Sequence, residues 1–192
     1  VYKRQANGYD YYDLSQSNGK IHITGNNGVS LATGLNYYLK YYCNVNISQV
    51  GDQVTMPKSI IPVEETVHKE TKFPVRYSYN YCTLSYSMAF WGEEEWRNEL
   101  DWLALNGVNV VLDATAQEEV WRRFLTELGY THQEAKDFIA GPAYYAWAYM
   151  ANLSGYGVPV HDTWFTERTE LARKNQLIMR KLGMQPVLQG YS

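Results

Sequence analysis

At 192 residues the chain can hold one ordinary domain, or a small domain followed by part of a larger one. A formal charge of minus 3, with Lys and Arg scattered along the chain, excludes a broad cationic surface for nucleic acid or anionic lipid. Charged residues reach only 19% while aromatics reach 15%, with 18 Tyr and 6 Trp, so the chain carries many flat amphipathic faces that pack a core or stack on a sugar ring.

The first segment reads as a hairpin, a helix and a strand, followed by a connector. Tyr9 to Leu14 and Lys20 to Thr24 are β-rich runs flanking Ser17-Asn18-Gly19, whose Asn-Gly supplies the positive φ values of a tight hairpin turn. Gly25-Asn-Asn-Gly28 breaks the second run. From Val29 to Tyr42, Leu31, Leu35, Tyr38, Leu39 and Tyr42 recur at spacings of three and four, which predicts a helix laying that stripe on the sheet. The polar run Glu64 to Lys72, closed by Phe73-Pro74, reads as a connector.

After Pro74 the rhythm changes to strand, helix, strand. Val75 to Thr83 predicts a strand, Glu93 to Asn106 a helix with Trp96, Leu100 and Leu103 on one stripe, and Val108 to Leu112 a nearly all-apolar strand. Helices follow over Gln117 to Leu128, from the Thr131-x-x-Glu134 capping box, and from Pro142 at a first turn. A long helix over Thr166 to Leu182 ends at Gly183, and Met184 to Leu188 is another strand. Apolar strands alternating with helices imply a parallel sheet covered on both faces. The expected fold class is α/β: a small N-terminal α/β domain over residues 1–66, then over residues 67–192 the first three β/α units of an incomplete TIM (β/α)8 barrel.

In a barrel, chemistry sits at the C-terminal strand ends. A period of two along Arg76-Tyr-Ser-Tyr-Asn-Tyr-Cys82 sends Asn80 and Cys82 to one side, toward the barrel mouth, with Tyr86 in the next loop. Spacing alone leaves a loop-capping Asn80 and a space-filling Cys82 as the simpler account. Trp147 and Met150 stand at i and i+3 on the helix from Pro142, hence on one face, where either a core or a pocket wall is compatible with the pattern. Glu93, Glu94 and Glu95 suit a helix N-terminus, and Asp113 ends the second strand with Glu118 just behind it, but no second carboxylate completes an acid/base pair.

Several chemistries have no support. Cys43 and Cys82 are too few for a disulfide scaffold, and a single structural pair is the lesser alternative to two free thiols. The four His residues, at 22, 68, 132 and 161, show no metal spacing, and no cofactor is expected. GxSxG, HExxH, GxGxxG and P-loop patterns do not occur. No apolar run of about 20 residues occurs either. Asn46-Ile-Ser48 and Asn152-Leu-Ser154 are sequons that count only in a eukaryotic secretory pathway. The first residue is not Met, and the chain is expected to be a fragment.

Asn80-Tyr-Cys-Thr-Leu-Ser-Tyr-Ser, Glu99-Leu-Asp-Trp-Leu-Ala-Leu-Asn-Gly-Val-Asn109, Gln117-Glu-Glu-Val-Trp121, Gly141-Pro-Ala-Tyr-Tyr-Ala-Trp-Ala-Tyr-Met-Ala-Asn-Leu153 and Gly183-Met-x-Pro-Val-Leu188 resemble glycoside hydrolase family 89, the alpha-N-acetylglucosaminidases. The resemblance runs from about Arg76 to Leu188. It implies a barrel that removes terminal alpha-linked N-acetylglucosamine with retention through two glutamates lying outside this chain, so that the isolated chain is expected to be inactive. It implies that Asn80, Cys82, Tyr86, Trp147 and Met150 line the sugar pocket, that the partner is a glycan, and that the enzyme is secreted, periplasmic or lysosomal. Asp113-Ala-Thr-Ala116 departs from the family, which often ends this loop in Gly. A carbohydrate-binding protein that keeps the pocket without the acid pair is the alternative from another class.

Overall fold

The computed structural model describes residues 7–188, which divide into two compact units. The first gathers the residues up to Tyr77 with Arg97–Val110 and Ile178–Gln185. The second gathers Ser78–Trp96, Val111–Leu177 and the residues from Pro186.

In the first unit, β1 (Asp10–Ser17) pairs antiparallel with β2 (Lys20–Gly25), with Ser17 opposite Lys20. Asn18 and Gly19 between them take φ values of 51° and 70°, the primed turn expected of Asn-Gly. The run read as a connector instead contains β3 (Val67–Thr71), which pairs along the other edge of β1 to give the order β2-β1-β3. Its polar side chains are mostly exposed and it is held by the backbone ladder together with polar contacts such as His68 to Asp13, so no apolar alternation announces it.

Helix α1 (Gly28–Tyr41) starts where Asn27 accepts a hydrogen bond from the Ser30 backbone N–H at 2.8 Å. Its buried face is not the expected stripe. Val29, Ser30, Gly34 and Tyr38 are buried, whereas Leu35 is 42% exposed. A Cβ on Gly34 would stand 2.8 Å from the Ile23 side chain, so the helix presses its smallest residue to the sheet and turns Leu35 outward. Tyr12, Leu14, Tyr38, Cys43, Val45 and Val63 form this unit's core. The Asp10 carboxyl fastens several segments. Its Oδ1 accepts from the Asn26 and Asn27 amides at 2.7 and 2.8 Å, and its Oδ2 from Arg76 at 2.5 Å. Arg76 in turn donates to the Gly107 and Phe73 carbonyls.

A second sheet has the order β4-β5-β6, from β4 (Tyr77–Ser78), β5 (Val110–Leu112) and β6 (Gln185–Val187). The Gln185 N–H donates to Asn109 and the Asp113 N–H to Val187, so both chains advance together and β5 and β6 run parallel. Three such strands, separated by helices, do not close a barrel. The strand expected over Val75 to Thr83 stops at Ser78, because Tyr79 turns to φ 79° and Asn80 caps helix α2 (Tyr81–Tyr86). Tyrosine alternation therefore imitates a strand across a turn and a helix start. Next comes α3 (Glu93–Leu105), whose Trp96, Leu100 and Leu103 are buried as expected.

The second unit adds α4 (Gln117–Glu127), α5 (His132–Phe138) and α6 (Tyr145–Tyr149). Thr131 and Glu134 form the expected capping box at the start of α5. The helix expected from Pro142 is broken: Pro142–Tyr144 is a 3-10 turn, Tyr144 leaves helical geometry, and only then does α6 begin. The long helix α7 (Asp162–Leu182) begins four residues earlier than Thr166 and ends at Gly183, with φ 78°. Leu125, Ala135, Ile139, Tyr145, Tyr149 and Phe165 are the centre of its main core. Cys43 and Cys82 are both free thiols.

Candidate functional site

All five residues expected at a sugar pocket belong to the second unit. They sit on two short helices, α2 and α6, that pack on one another. A buried bond locks the pair: the Ala146 N–H, in the first turn of α6, donates to the Ser85 hydroxyl on α2 at 2.9 Å. Across the same contact Tyr86 and Trp147 meet edge to face, with ring centroids 5.5 Å apart. Tyr86 is 75% exposed and ends α2, while Trp147 is half-buried. Met150 closes α6 at its C-cap and is 37% exposed.

Asn80 is exposed, and its Oδ1 accepts from the Thr83 N–H at 3.2 Å and the Thr83 hydroxyl at 3.1 Å. It is thus the N-cap of α2, a job that uses its acceptor and not its amide N–H groups. Cys82 is half-buried in the first turn, four residues before Tyr86 and so on the same helix face. Asn80 and Cys82 are not brought side by side by strand alternation, as the sequence suggested, because the backbone is helical there. What the fold brings into direct contact is Tyr86 and Trp147.

Two of the buried carboxyls, Asp113 and Glu118, lie just beyond the second strand, and they behave differently from a catalytic pair. Asp113 accepts from the Thr115 N–H at 3.1 Å and from Gln176 at 2.9 Å, and burial pushes its pKa above the ordinary value. Glu118 is 2% exposed. Its Oε1 accepts from the Trp164 indole N–H at 2.9 Å and its Oε2 from the Tyr149 hydroxyl at 3.1 Å; burial raises its pKa too, against the opposing pull of these bonds and of Arg168. Each carboxyl is engaged by its own donors rather than by the other. Sequence reasoning placed Glu118 behind the second strand but missed its burial. Its spacing to Trp121 and Leu125, at i+3 and i+7, is the signal that assigns it to the inward face of α4.

Ala116, in the loop that departs from the family pattern, takes φ 65°. This is left-handed backbone that glycine adopts freely and alanine does not. Among the described residues no group of three His, Cys, Asp or Glu side chains could hold a metal ion, and no helix is long and apolar enough to cross a membrane.

A β/α sheet with exposed aromatic and amide side chains just beyond its first strand has the layout of a β/α barrel, which carries its chemistry at the C-terminal strand ends. Residues 76–192 match the alpha-N-acetylglucosaminidase (NAGLU) tim-barrel domain and residues 1–63 the N-terminal domain of the same proteins; the chain belongs to the alpha-N-acetylglucosaminidase family, glycoside hydrolase family 89. It is 34% identical to the Homo sapiens alpha-N-acetylglucosaminidase over 186 residues, which is 96% of this chain and 25% of that protein. A family 89 glycoside hydrolase from Clostridium perfringens, in complex with 2-acetamido-1,2-dideoxynojirmycin, superimposes on the whole chain with a TM-score of 0.98 at 50% identity. A variant from the same organism, with two glutamates replaced by glutamine and its substrate GlcNAc-alpha-1,4-galactose bound, superimposes with a TM-score of 0.97 at 50% identity. The chain spans 22% of each clostridial structure, about a quarter or less of every relative named here.

Proposed function

We propose that the protein to which this chain belongs is a retaining exo-glycosidase that removes terminal alpha-linked N-acetylglucosamine from glycans. We further propose that residues 1–66 are its N-terminal domain, and that residues 67–192 supply the first wall of its sugar pocket. The observation that carries the reading is the similarity, at 50% identity over the whole chain, to an enzyme holding GlcNAc-alpha-1,4-galactose. In this reading the Trp147 ring, steadied edge-on by Tyr86, offers an apolar face to the pyranose, and Met150 extends that face. The Asn80 amide donates toward a hydroxyl or the acetamido carbonyl, and Cys82 supplies a small, weakly polar wall. The two glutamates that protonate the leaving oxygen and capture the anomeric carbon are supplied from elsewhere in the full-length protein. A secreted, periplasmic or lysosomal location and a glycan partner follow from the same reading.

The test has two arms. The full-length gene product should hydrolyse a chromogenic alpha-N-acetylglucosaminide, whereas these 192 residues alone should release nothing above a blank. Sugar binding without turnover by the full-length protein would favour the non-catalytic carbohydrate-binding alternative. In the full-length protein, Trp147→Phe retains much apolar volume but shortens the platform, so kcat/KM should fall about ten- to a hundredfold, or roughly 1.4 to 2.7 kcal/mol, with little change in melting temperature. A lower melting temperature with unchanged kcat/KM would return Trp147 to the core.

A further inference from the structure

Helix α6 is five residues long, far too short to hold itself together without tertiary support. Its exit is also unfavourable, since Ala151 follows the Met150 C-cap with φ 59°, a left-handed conformation that an alanine adopts only at a cost. Something must hold both ends. The N-terminal end is fixed by the bond from the Ala146 N–H to Ser85. At the C-terminal end the fixing group is Tyr149, 4% exposed, whose ring stacks on Tyr145 and whose hydroxyl donates to Glu118.

Glu118 is well placed to be immobile. It lies in the first turn of α4, and its other oxygen is held by Trp164 at the start of α7. The Arg168 guanidinium rests 4.0 Å from the Trp164 ring centroid and donates to the Trp91 carbonyl, which keeps the indole itself from swinging. One carboxyl therefore ties the start of α4, the end of α6 and the start of α7.

We propose that Glu118 is a positioning residue for the sugar pocket, fixing through the Tyr149 hydroxyl the turn of α6 that presents Trp147 and Met150. The proposal rests on the reading of Trp147 and Met150 as pocket lining. Glu118 itself is buried and touches no sugar. Its effect reaches the substrate by holding the wall in a single position, so its loss should loosen binding more than it slows the bond-breaking step.

The experiment uses the full-length gene product and five variants, assayed well below their melting temperatures. Tyr149→Phe deletes only the hydroxyl that reaches Glu118. It should raise KM for a chromogenic alpha-N-acetylglucosaminide, and Kd for 2-acetamido-1,2-dideoxynojirmycin, about five- to tenfold, with kcat within about twofold of wild type. Glu118→Gln should raise KM and Kd in the same direction. The double variant should be no worse than the worse single one, because Tyr149→Phe removes a bond that Glu118→Gln already disturbs. Leu125→Val trims the same core without touching that bond, and should lower the melting temperature while leaving KM unchanged. If Tyr149→Phe behaves like Leu125→Val, or if the two changes add, Glu118 is only structural and the proposal is overturned. Trp147→Phe separates this failure from failure of the pocket reading. A Trp147-sensitive enzyme with an insensitive Tyr149 sinks the positioning role alone, whereas an insensitive Trp147 sinks both. Should Glu118→Gln fold poorly, Tyr149→Phe decides by itself.

Discussion

Asp10 in the first unit and Glu118 in the second are both carboxyls withdrawn from solvent, but they are used in opposite ways. Asp10 receives three donors, one of them a guanidinium, and each donor is itself tied down: Arg76 to two carbonyls, and Asn27 as the cap of α1. Glu118 is more deeply buried, and its donors are all neutral: an indole, a phenol and its own backbone N–H. A buried charge with several charge-assisted partners is a joint, and removing it leaves uncompensated donors. A carboxyl buried among neutral donors is poorly solvated, and so its worth lies in where it places those donors. The charge of the donors, more than burial, separates a fold-holding acid from one supporting a site.

The strongest way to break this comparison is Asp10→Ala. It strands two Asn amides and the Arg76 guanidinium, with the Asp10 and Arg76 side chains only 18% and 20% exposed. The expected loss is about 2 to 4 kcal/mol of stability, between the values for exposed and fully buried pairs. Urea unfolding of the full-length protein measures it, and KM at a temperature where the variant is folded should not move. A variant as stable as wild type would mean that the network is not a joint.

Next comes the pH dependence of Glu118. Its folded pKa is raised, so its contribution to stability is fully present below the ordinary carboxyl value of 4.5 and is lost as pH rises through the folded pKa. Glu118→Gln cannot titrate. The stability of wild type relative to this variant should therefore be greatest near pH 4 and shrink on the way to pH 7, as read from urea midpoints at a series of pH values. A difference that grows with pH would show that the fold prefers the ionised form, making Glu118 a second Asp10.

Much of the fold was legible because local chemistry decided it: Asn18-Gly19 set the hairpin, Thr131 with Glu134 began α5, and Gly183 ended α7. Where tertiary contacts decide, the sequence was silent or misleading. β3 is polar and held by backbone pairing to β1, so no periodicity marks it. The α1 stripe is rotated because Gly34, invisible to a search for apolar residues, marks the closest approach to the sheet. At the candidate site the residue types and the family motif were readable, but the geometry was not. Asn80 looked like part of a strand because tyrosines alternate around it, and only the positive φ of Tyr79 reveals a helix cap. Glu118 reads in the sequence only as a carboxyl behind Asp113, because the partners that mark its burial, Tyr149 and Trp164, lie 31 and 46 residues away along the chain.

The smallest expected effects come from a matched pair of helix caps, one in each unit, and they sharpen the comparison by testing whether the second unit also contains ordinary joints. Asn27 caps α1 through the Ser30 N–H and also donates to Asp10, so Asn27→Ala removes a cap and a strand of the Asp10 network together. Thr131 caps α5 through the Glu134 N–H at 3.2 Å, while the Glu134 carboxylate accepts from the Thr131 N–H at 2.8 Å and from its hydroxyl at 2.7 Å, all at an exposed helix end. Asn27→Ala should cost about 2 kcal/mol and Thr131→Ala about 1 kcal/mol, the upper and middle parts of the range for lost caps. The second value should also depend on acidity. The Thr131 bonds hold the Glu134 pKa below its ordinary 4.5, so the stabilisation they give is present above that value and is lost as pH falls through the folded pKa. Thr131→Ala should accordingly differ from wild type most at neutral pH and least in acid, the reverse of the trend expected for Glu118→Gln. Equal costs at the two caps would mean that Asn27 acts as a cap alone, and that the Asp10 network does not depend on its amide.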